Sequence, residues 1–223
     1  MNVGPDDKLK AVLSEVFSRL FKFYGELPEP VGTPFEVLVK TLLSQNTNDR
    51  NRDKAYQALR DRFPDWRSLQ DASEEEIAQC LRPAGLNRQR AKRLKAIVEH
   101  ILKGRFSPTL SELCEMQQTE ALGWLRRLPG IGPKTAMCVL AFGCKRDLFP
   151  VDTHILRITK RLGIIPPQTS LEKAHELLAP LVPKGHARQL HLLLIRFGRE
   201  ICKARRPLCG YCLFPEFCLY PHK

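Results

Sequence analysis

Four cysteines near the end of the chain, Cys202, Cys209, Cys212 and Cys218, are spaced C-x6-C-x2-C-x5-C within seventeen residues. Ordinary packing cannot bury so many thiols in so short a segment, but as thiolates they can wrap one compact metal centre. Zinc and a [4Fe–4S] cubane are the candidates. Zinc sites come mostly as two short knuckles. Here only the middle pair is knuckle-like, and the long, unequal outer spacings favour a cubane, whose four irons lie apart from one another. Cys80, Cys114, Cys138 and Cys144 show no comparable grouping and read as small buried hydrophobes. Lys203, Arg205 and Arg206 stand inside the first cysteine loop. A loop pinned by a metal centre can present such cations to phosphates; the plainer alternative is a solvated loop with incidental charge.

A second constellation lies upstream. Leu128-Pro129-Gly130-Ile131-Gly132-Pro133-Lys134-Thr135 separates two helical stretches. Gly130 and Gly132 permit positive φ and close backbone approach. The helix that starts near Lys134 turns its free N–H groups and positive dipole end towards this hairpin, making an anion site suited to a DNA phosphate. G-x-G alone is a weak pattern; flanking helices, Leu-Pro before it and a cation after it make it more specific. Lys134 can act as one more phosphate contact; a different role needs a partner. The candidate partner is Asp152, eighteen residues on, in Pro150-Val151-Asp152-Thr153-His154. Asp152 precedes a helical run from Ile155 to Leu162, so it also reads as an N-cap.

The elements that must hold these residues read as helices throughout. Leu9, Val12, Leu13, Val16, Phe17, Leu20 and Phe21 follow one buried stripe. After Pro28 and Pro30, Thr33-Pro34-Phe35-Glu36 opens a helix with Thr33 as N-cap, Pro34 at the first helical position and Glu36 closing a capping box. Ser73 to Glu76 is a second capping box, opening a helix that stops before Pro83 and Gly85. Helical periodicity marks Arg90 to Ile101, Glu120 to Leu128, Leu171 to Leu178 and Ala187 to Ile201. No run alternates at the period of a strand, so the fold class is all-α.

Composition narrows the partners. The chain has 223 residues, enough for one large domain or two small lobes, and 43% of them are hydrophobic, which excludes disorder as a default. Thirty-six Lys and Arg against 24 Asp and Glu give a net charge of +12, a field that attracts polyanions, nucleic acid foremost. No stretch approaches the roughly 20 apolar residues of a membrane span, and the N-terminus has no secretory apolar core. The expected setting is intracellular, where eight cysteines argue for metal chemistry over disulfides.

Taken in order, L-P-G-x-G-x-K-T-A, V-D-T-H and the cysteine pattern resemble the endonuclease III family of helix-hairpin-helix DNA glycosylases, over about Leu9 to Cys218. The resemblance implies a [4Fe–4S] cluster on Cys202, Cys209, Cys212 and Cys218, with Lys134 and Asp152 as the catalytic pair. It implies two helical lobes flanking a DNA-binding cleft: a six-helix barrel with the hairpin over residues 26–146, and a cluster lobe over 1–25 and 147–223. It implies a monomer acting on double-stranded DNA with a damaged base, most simply an oxidised pyrimidine, or an abasic site. Lys134 would form a Schiff base, and β-elimination would cut the strand. Gln45, in Leu43-Ser44-Gln45-Asn46-Thr47, matches the side chain that fills the space of the extruded nucleotide, and Leu86, in Gly85-Leu86-Asn87, matches the apolar wedge on the opposite strand. Their plainer alternatives are a polar residue at a helix end and a core leucine.

Three positions depart from the family pattern. No small residue separates Ser44 from Gln45, Asn87 stands where tyrosine is common, and Pro133 sits within the hairpin. The first two adjoin the expected pocket and wedge, so they bear on lesion preference; a glycosylase for thymine or uracil mispaired with guanine is the nearest rival. Proline suits a helix start, so the fold is expected to tolerate Pro133.

Overall fold

The structure, a computed structural model, describes residues 5–45, 47–104 and 106–220. Among these the regular elements are helical and none is a strand, as the missing strand period required. The α-helices are α1 (Pro5–Tyr24), α2 (Pro34–Leu43), α3 (Asp49–Arg62), α4 (Glu74–Leu81), α5 (Asn87–Lys103), α6 (Gln118–Arg127), α7 (Pro133–Cys138), α8 (Thr153–Arg161), α9 (Leu171–Leu178) and α10 (Ala187–Glu200). The chain divides into two compact units: one runs to Glu29 and resumes at Asp147, the other is Pro30–Arg146.

In the Pro30–Arg146 unit, α2 starts where Thr33 caps it. The Thr33 hydroxyl accepts the Glu36 N–H at 3.3 Å, and a Glu36 carboxylate oxygen accepts the Thr33 N–H at 2.9 Å. Ser73 and Glu76 make the same reciprocal pair at the head of α4. Phe35, Leu38, Leu59, Ile77, Leu81 and Ile97 are buried, as α2 packs on α3 and α7 and α4 packs on α3 and α5. Helix α3, which periodicity does not reveal, buries only Ala55 and Leu59 along its length. Its signal is the cap, for the Asn48 side chain accepts the Asn51 N–H at 2.9 Å. Helix α5 begins at Asn87, three residues before its apolar period becomes visible.

Behind α7 the helix widens into a π-helix over Val139–Gly143, and Cys144 then forms a disulfide with Cys114. This corrects the reading of both residues as simple buried hydrophobes, and qualifies the preference for metal chemistry over disulfides among the eight cysteines. Cys114 ends the 3-10 turn Ser111–Cys114, thirty residues before its partner. The spacing of the two in sequence carries no trace of the pairing. A bridge closing a loop of this size typically contributes about 2–4 kcal/mol, in the chain-entropy account by restricting the unfolded chain. Arg146 grips the same segment, its Nη2 donating to the carbonyls of Leu113 (3.0 Å), Cys114 (3.2 Å) and Met116. Neither Cys80, half-buried, nor Cys138, buried, takes part in a disulfide.

The other unit is built on α1, α8, α9 and α10. Leu13, Val16 and Leu20 of α1 are fully buried against Ile155, Ile158, Leu190, Leu194 and Phe197. Phe21 leaves the expected stripe and is largely exposed. Helix α10 lies against α8 at Gly198, where an added Cβ would come within 2.9 Å of the His154 Cβ. The cysteine segment rests on the same core: Phe214 is fully buried, and Cys202, Cys212 and Cys218 pack against it.

Candidate functional site

The hairpin is built by Leu128, whose buried side chain anchors the end of α6 and whose carbonyl accepts the Ile131 N–H at 3.2 Å. Gly130 takes φ +71°, a backbone state that side chains disfavour. A Cβ there would also fall 2.7 Å from the Nε of Arg93. Gly132, at φ −89°, ψ 175°, is extended and needs no positive φ. Its role is to leave the backbone bare, since a Cβ at 132 would meet nothing within 4 Å. Pro133 occupies the first position of α7, where its missing N–H forfeits no helical bond.

Lys134 follows directly, half-buried between exposed Gly132 and buried Thr135 and Ala136. Among the described residues its amine has no hydrogen-bond or ion-pair partner. Asp152 belongs to the other unit. It is the N-cap of α8, its Oδ1 accepting the Ile155 N–H at 2.9 Å, so the plainer reading of Asp152 is realised. The cap uses one oxygen; Oδ2 accepts no hydrogen bond among the described residues, while the carboxylate's charge acts on His154 and Arg157.

Two buried histidines, which periodicity did not single out, fix the backbone before Asp152. The Val151 N–H donates to His175 Nε2 at 3.0 Å, and His191 Nδ1 donates to the Pro150 carbonyl at 2.7 Å. Arg157, one turn into α8, donates to His154 Nδ1 (3.1 Å) and to the carbonyls of Gly198 (2.9 Å) and Cys202 (2.8 Å). Burial, opposed by Asp152, pushes the His154 imidazole pKa down.

Cys202, Cys209, Cys212 and Cys218 line one pocket together with Arg161, Leu208 and Tyr220. Among the described residues no three Cys, His, Asp or Glu side chains converge on a single-ion site. Each end of the loop between Cys202 and Cys209 is held by backbone bonds, with the Cys202 N–H on Phe197 O and the Leu208 N–H on Ile201 O, both at 2.9 Å. Two donors already point at sulfur: Arg161 Nη1 to Cys202 Sγ (3.2 Å) and the Phe214 N–H to Cys212 Sγ (3.4 Å). Burial first, then the neighbouring cysteine sulfurs, push the Cys212 thiol pKa up. Lys203, Arg205 and Arg206 are all exposed on the loop between Cys202 and Cys209, and Arg206 holds φ +52°. Arg161 braces that loop through the carbonyls of Lys203 (2.8 Å) and Ala204 (3.2 Å), leaving the three cationic heads outward.

Gln45 and Leu86 come together in the Pro30–Arg146 unit. Gln45 is exposed just beyond α2, and Leu86 is 57% exposed at φ +47°, the left-handed N-cap of α5. The alternative of a core leucine is thereby excluded. Arg90, 8% exposed, joins the two segments: Nη1 donates to the carbonyls of Leu43 (3.1 Å) and Ala84 (3.0 Å), and Nη2 to that of Gln45. Burial and the nearby Arg93 lower the Arg90 pKa.

Residues 39–184 match the family described as HhH-GPD superfamily base excision DNA repair proteins. Endonuclease III of Thermotoga maritima is 35% identical over 188 residues, covering 83% of this chain and 82% of that protein. The thymine-DNA glycosylase of Aeropyrum pernix is 29% identical over 212 residues, covering 90% of each. Among solved structures, a trapped endonuclease III–DNA covalent intermediate superposes with a TM-score of 0.81 at 25% identity, over 94% of this chain and 95% of that one.

Proposed function

The chain belongs to the HhH-GPD superfamily of base excision DNA repair proteins, and on that premise we propose a bifunctional enzyme that removes an oxidised pyrimidine through Lys134 and then cuts the strand. It is an endonuclease III-like DNA glycosylase; the lyase step, the lesion and the cluster make up the proposal. The observation that carries it is the Lys134 amine, presented at the start of α7 behind the hairpin with no partner among the described residues. A lysine held in a structural ion pair would not be available to a sugar carbon; this one is not so held.

The chemistry runs as follows. The damaged nucleotide leaves the stack, at a cost of a few kcal/mol that damage reduces. Gln45 fills the vacated space and Leu86 wedges the opposite strand. As the C1′–base bond breaks, the sugar gains positive charge, which the Asp152 carboxylate stabilises. The neutral Lys134 amine bonds to C1′, the base departs with a proton, and ring opening gives a Schiff base. Loss of a C2′ proton then expels the 3′ phosphate, breaking the C3′–O bond. Water releases the enzyme from the remaining sugar.

The cysteine segment fits a [4Fe–4S] cluster. Four thiols ring one cavity, and two N–H donors aim at its sulfurs, as such clusters require. The bound cluster would supply a rigid four-armed anchor. The chain's own contribution is to hold Lys203, Arg205 and Arg206 outward as phosphate contacts. Lys203→Ala and Arg206→Ala should each weaken DNA binding and reduce the slope of log K against log[salt] by about 0.9. Unchanged slopes would remove the loop from the interface.

A thymine mispaired with guanine is the second substrate to test, since the A. pernix relative is a thymine-DNA glycosylase. Single-turnover base release from a thymine-glycol duplex should outpace release from a G·T duplex. The reverse order would replace the oxidised pyrimidine by the mispair as substrate.

A further inference from the structure

Arg90 is a buried cation for which, among the described residues, no carboxylate provides a counter-charge. Burying an uncompensated charge is costly, and this one is met only by carbonyl dipoles. Leu43 ends α2 and Ala84 ends the 3-10 turn Arg82–Ala84, so their carbonyls lack helical N–H partners. Capping one helix end needs no buried guanidinium; glycine or water does it. What Arg90 alone achieves is to bind both segments at once, one ending in Gln45 and the other leading into Leu86.

The side chains of Gln45 and Leu86 are exposed while the backbone beside them is fixed from below. Leu86 also holds a left-handed backbone, a strained state that persists only where its surroundings impose it. The Arg90 N–H bonds to the Leu86 carbonyl at 3.0 Å, and the Asn87 amide donates to Ala78 O at 3.2 Å, imposing it from two directions.

We propose that Arg90 is a positioning residue for nucleotide extrusion, setting the spacing between the Gln45 plug and the Leu86 wedge by holding the carbonyls of Leu43, Gln45 and Ala84 in one planar fork. It rests on the plug and wedge roles given above. Lysine cannot replace the fork: its single ammonium has neither the planar geometry nor the reach to serve all three carbonyls. With the spacing loosened, insertion into the duplex should fail while the chemistry at an already vacant sugar survives.

The test compares Arg90→Lys with the wild type, using intact full-length protein, on two duplexes: one with thymine glycol, one with a pre-formed abasic site. Single-turnover base release should fall on the order of tenfold to 100-fold, and abasic-site cleavage by no more than about threefold, because misplacement penalises the step that needs alignment. A 2-aminopurine neighbouring the lesion should lose its unstacking signal in parallel. Asn87→Ala, which loosens the wedge without touching the buried cation, should shift the same ratio in the same direction. Equal loss on both duplexes, or loss on neither, overturns the proposal. Should Arg90→Lys fail to melt cooperatively, Asn87→Ala decides, and an unchanged ratio there overturns it too. A wild type inactive on both duplexes defeats the parent reading and the proposal with it; a wild type active on both isolates Arg90.

Discussion

Replacing Lys134 by glutamine is expected to abolish borohydride trapping of the protein on lesion-bearing DNA. Glutamine keeps the side chain polar and nearly as long but has no amine to bond C1′, so no iminium forms for borohydride to reduce. Lys134 has no partner among the described residues. Its loss therefore orphans no neighbour, and stability should stay within about 0.5 kcal/mol of wild type, the usual range for such a site. Trapping should fall to background, and base release, left to water alone, should fall by at least about 10²-fold, as removal of a nucleophile does elsewhere. Trapping that persists in Lys134→Gln would assign the Schiff base to another amine.

Asp152→Asn should slow base release by about 10²- to 10⁴-fold while leaving DNA affinity and fold intact. The two roles of Asp152 make this substitution informative. As N-cap of α8 its Oδ1 accepts the Ile155 N–H, and asparagine caps as well as aspartate does. The neutral amide cannot stabilise the charge growing on the sugar. Asp152→Ala separates the roles further, since it should add about 1 kcal/mol of lost capping to the same chemical defect. If affinity falls in step with rate in Asp152→Asn, the carboxylate is structural and the chemistry needs another stabiliser.

The parts of this fold legible in sequence are those in which a few adjacent residues decide the outcome. Thr33 with Glu36 and Ser73 with Glu76 make their capping boxes, and α9 starts and stops at Leu171 and Leu178. Asp152 caps α8 as its residue type suggested. Helix α3 escaped because so little of it is apolar: periodicity reports burial, and only Ala55 and Leu59 are buried along it. The Cys114–Cys144 bridge escaped because it joins residues brought close only by the tertiary fold. Of the two hairpin glycines, both of which permit a positive φ, only Gly130 adopts one. A glycine kept for an open approach and one kept for its dihedral look alike in a sequence.

The site divides along the same line. The cysteine spacing and the hairpin motif are local patterns and could be read directly, as could the cations between Cys202 and Cys209. Arg90 reads in sequence as one basic residue of an amphipathic helix. Its meaning appears only when the carbonyls of Leu43, Gln45 and Ala84 are found around it. His175 and His191 are likewise visible as functional supports only through the backbone they hold ahead of Asp152. Residues that act on other residues leave no signature of their own.

The reading depends above all on which atom of the protein becomes bonded to the sugar. Wild-type protein reduced with borohydride on lesion-bearing duplex, then digested with nuclease and protease, should yield one peptide enlarged by a deoxyribose remnant, and fragmentation should locate that mass on Lys134. A remnant on the α-amine or on any other lysine, or no adduct at all while bases are still released, would contradict it.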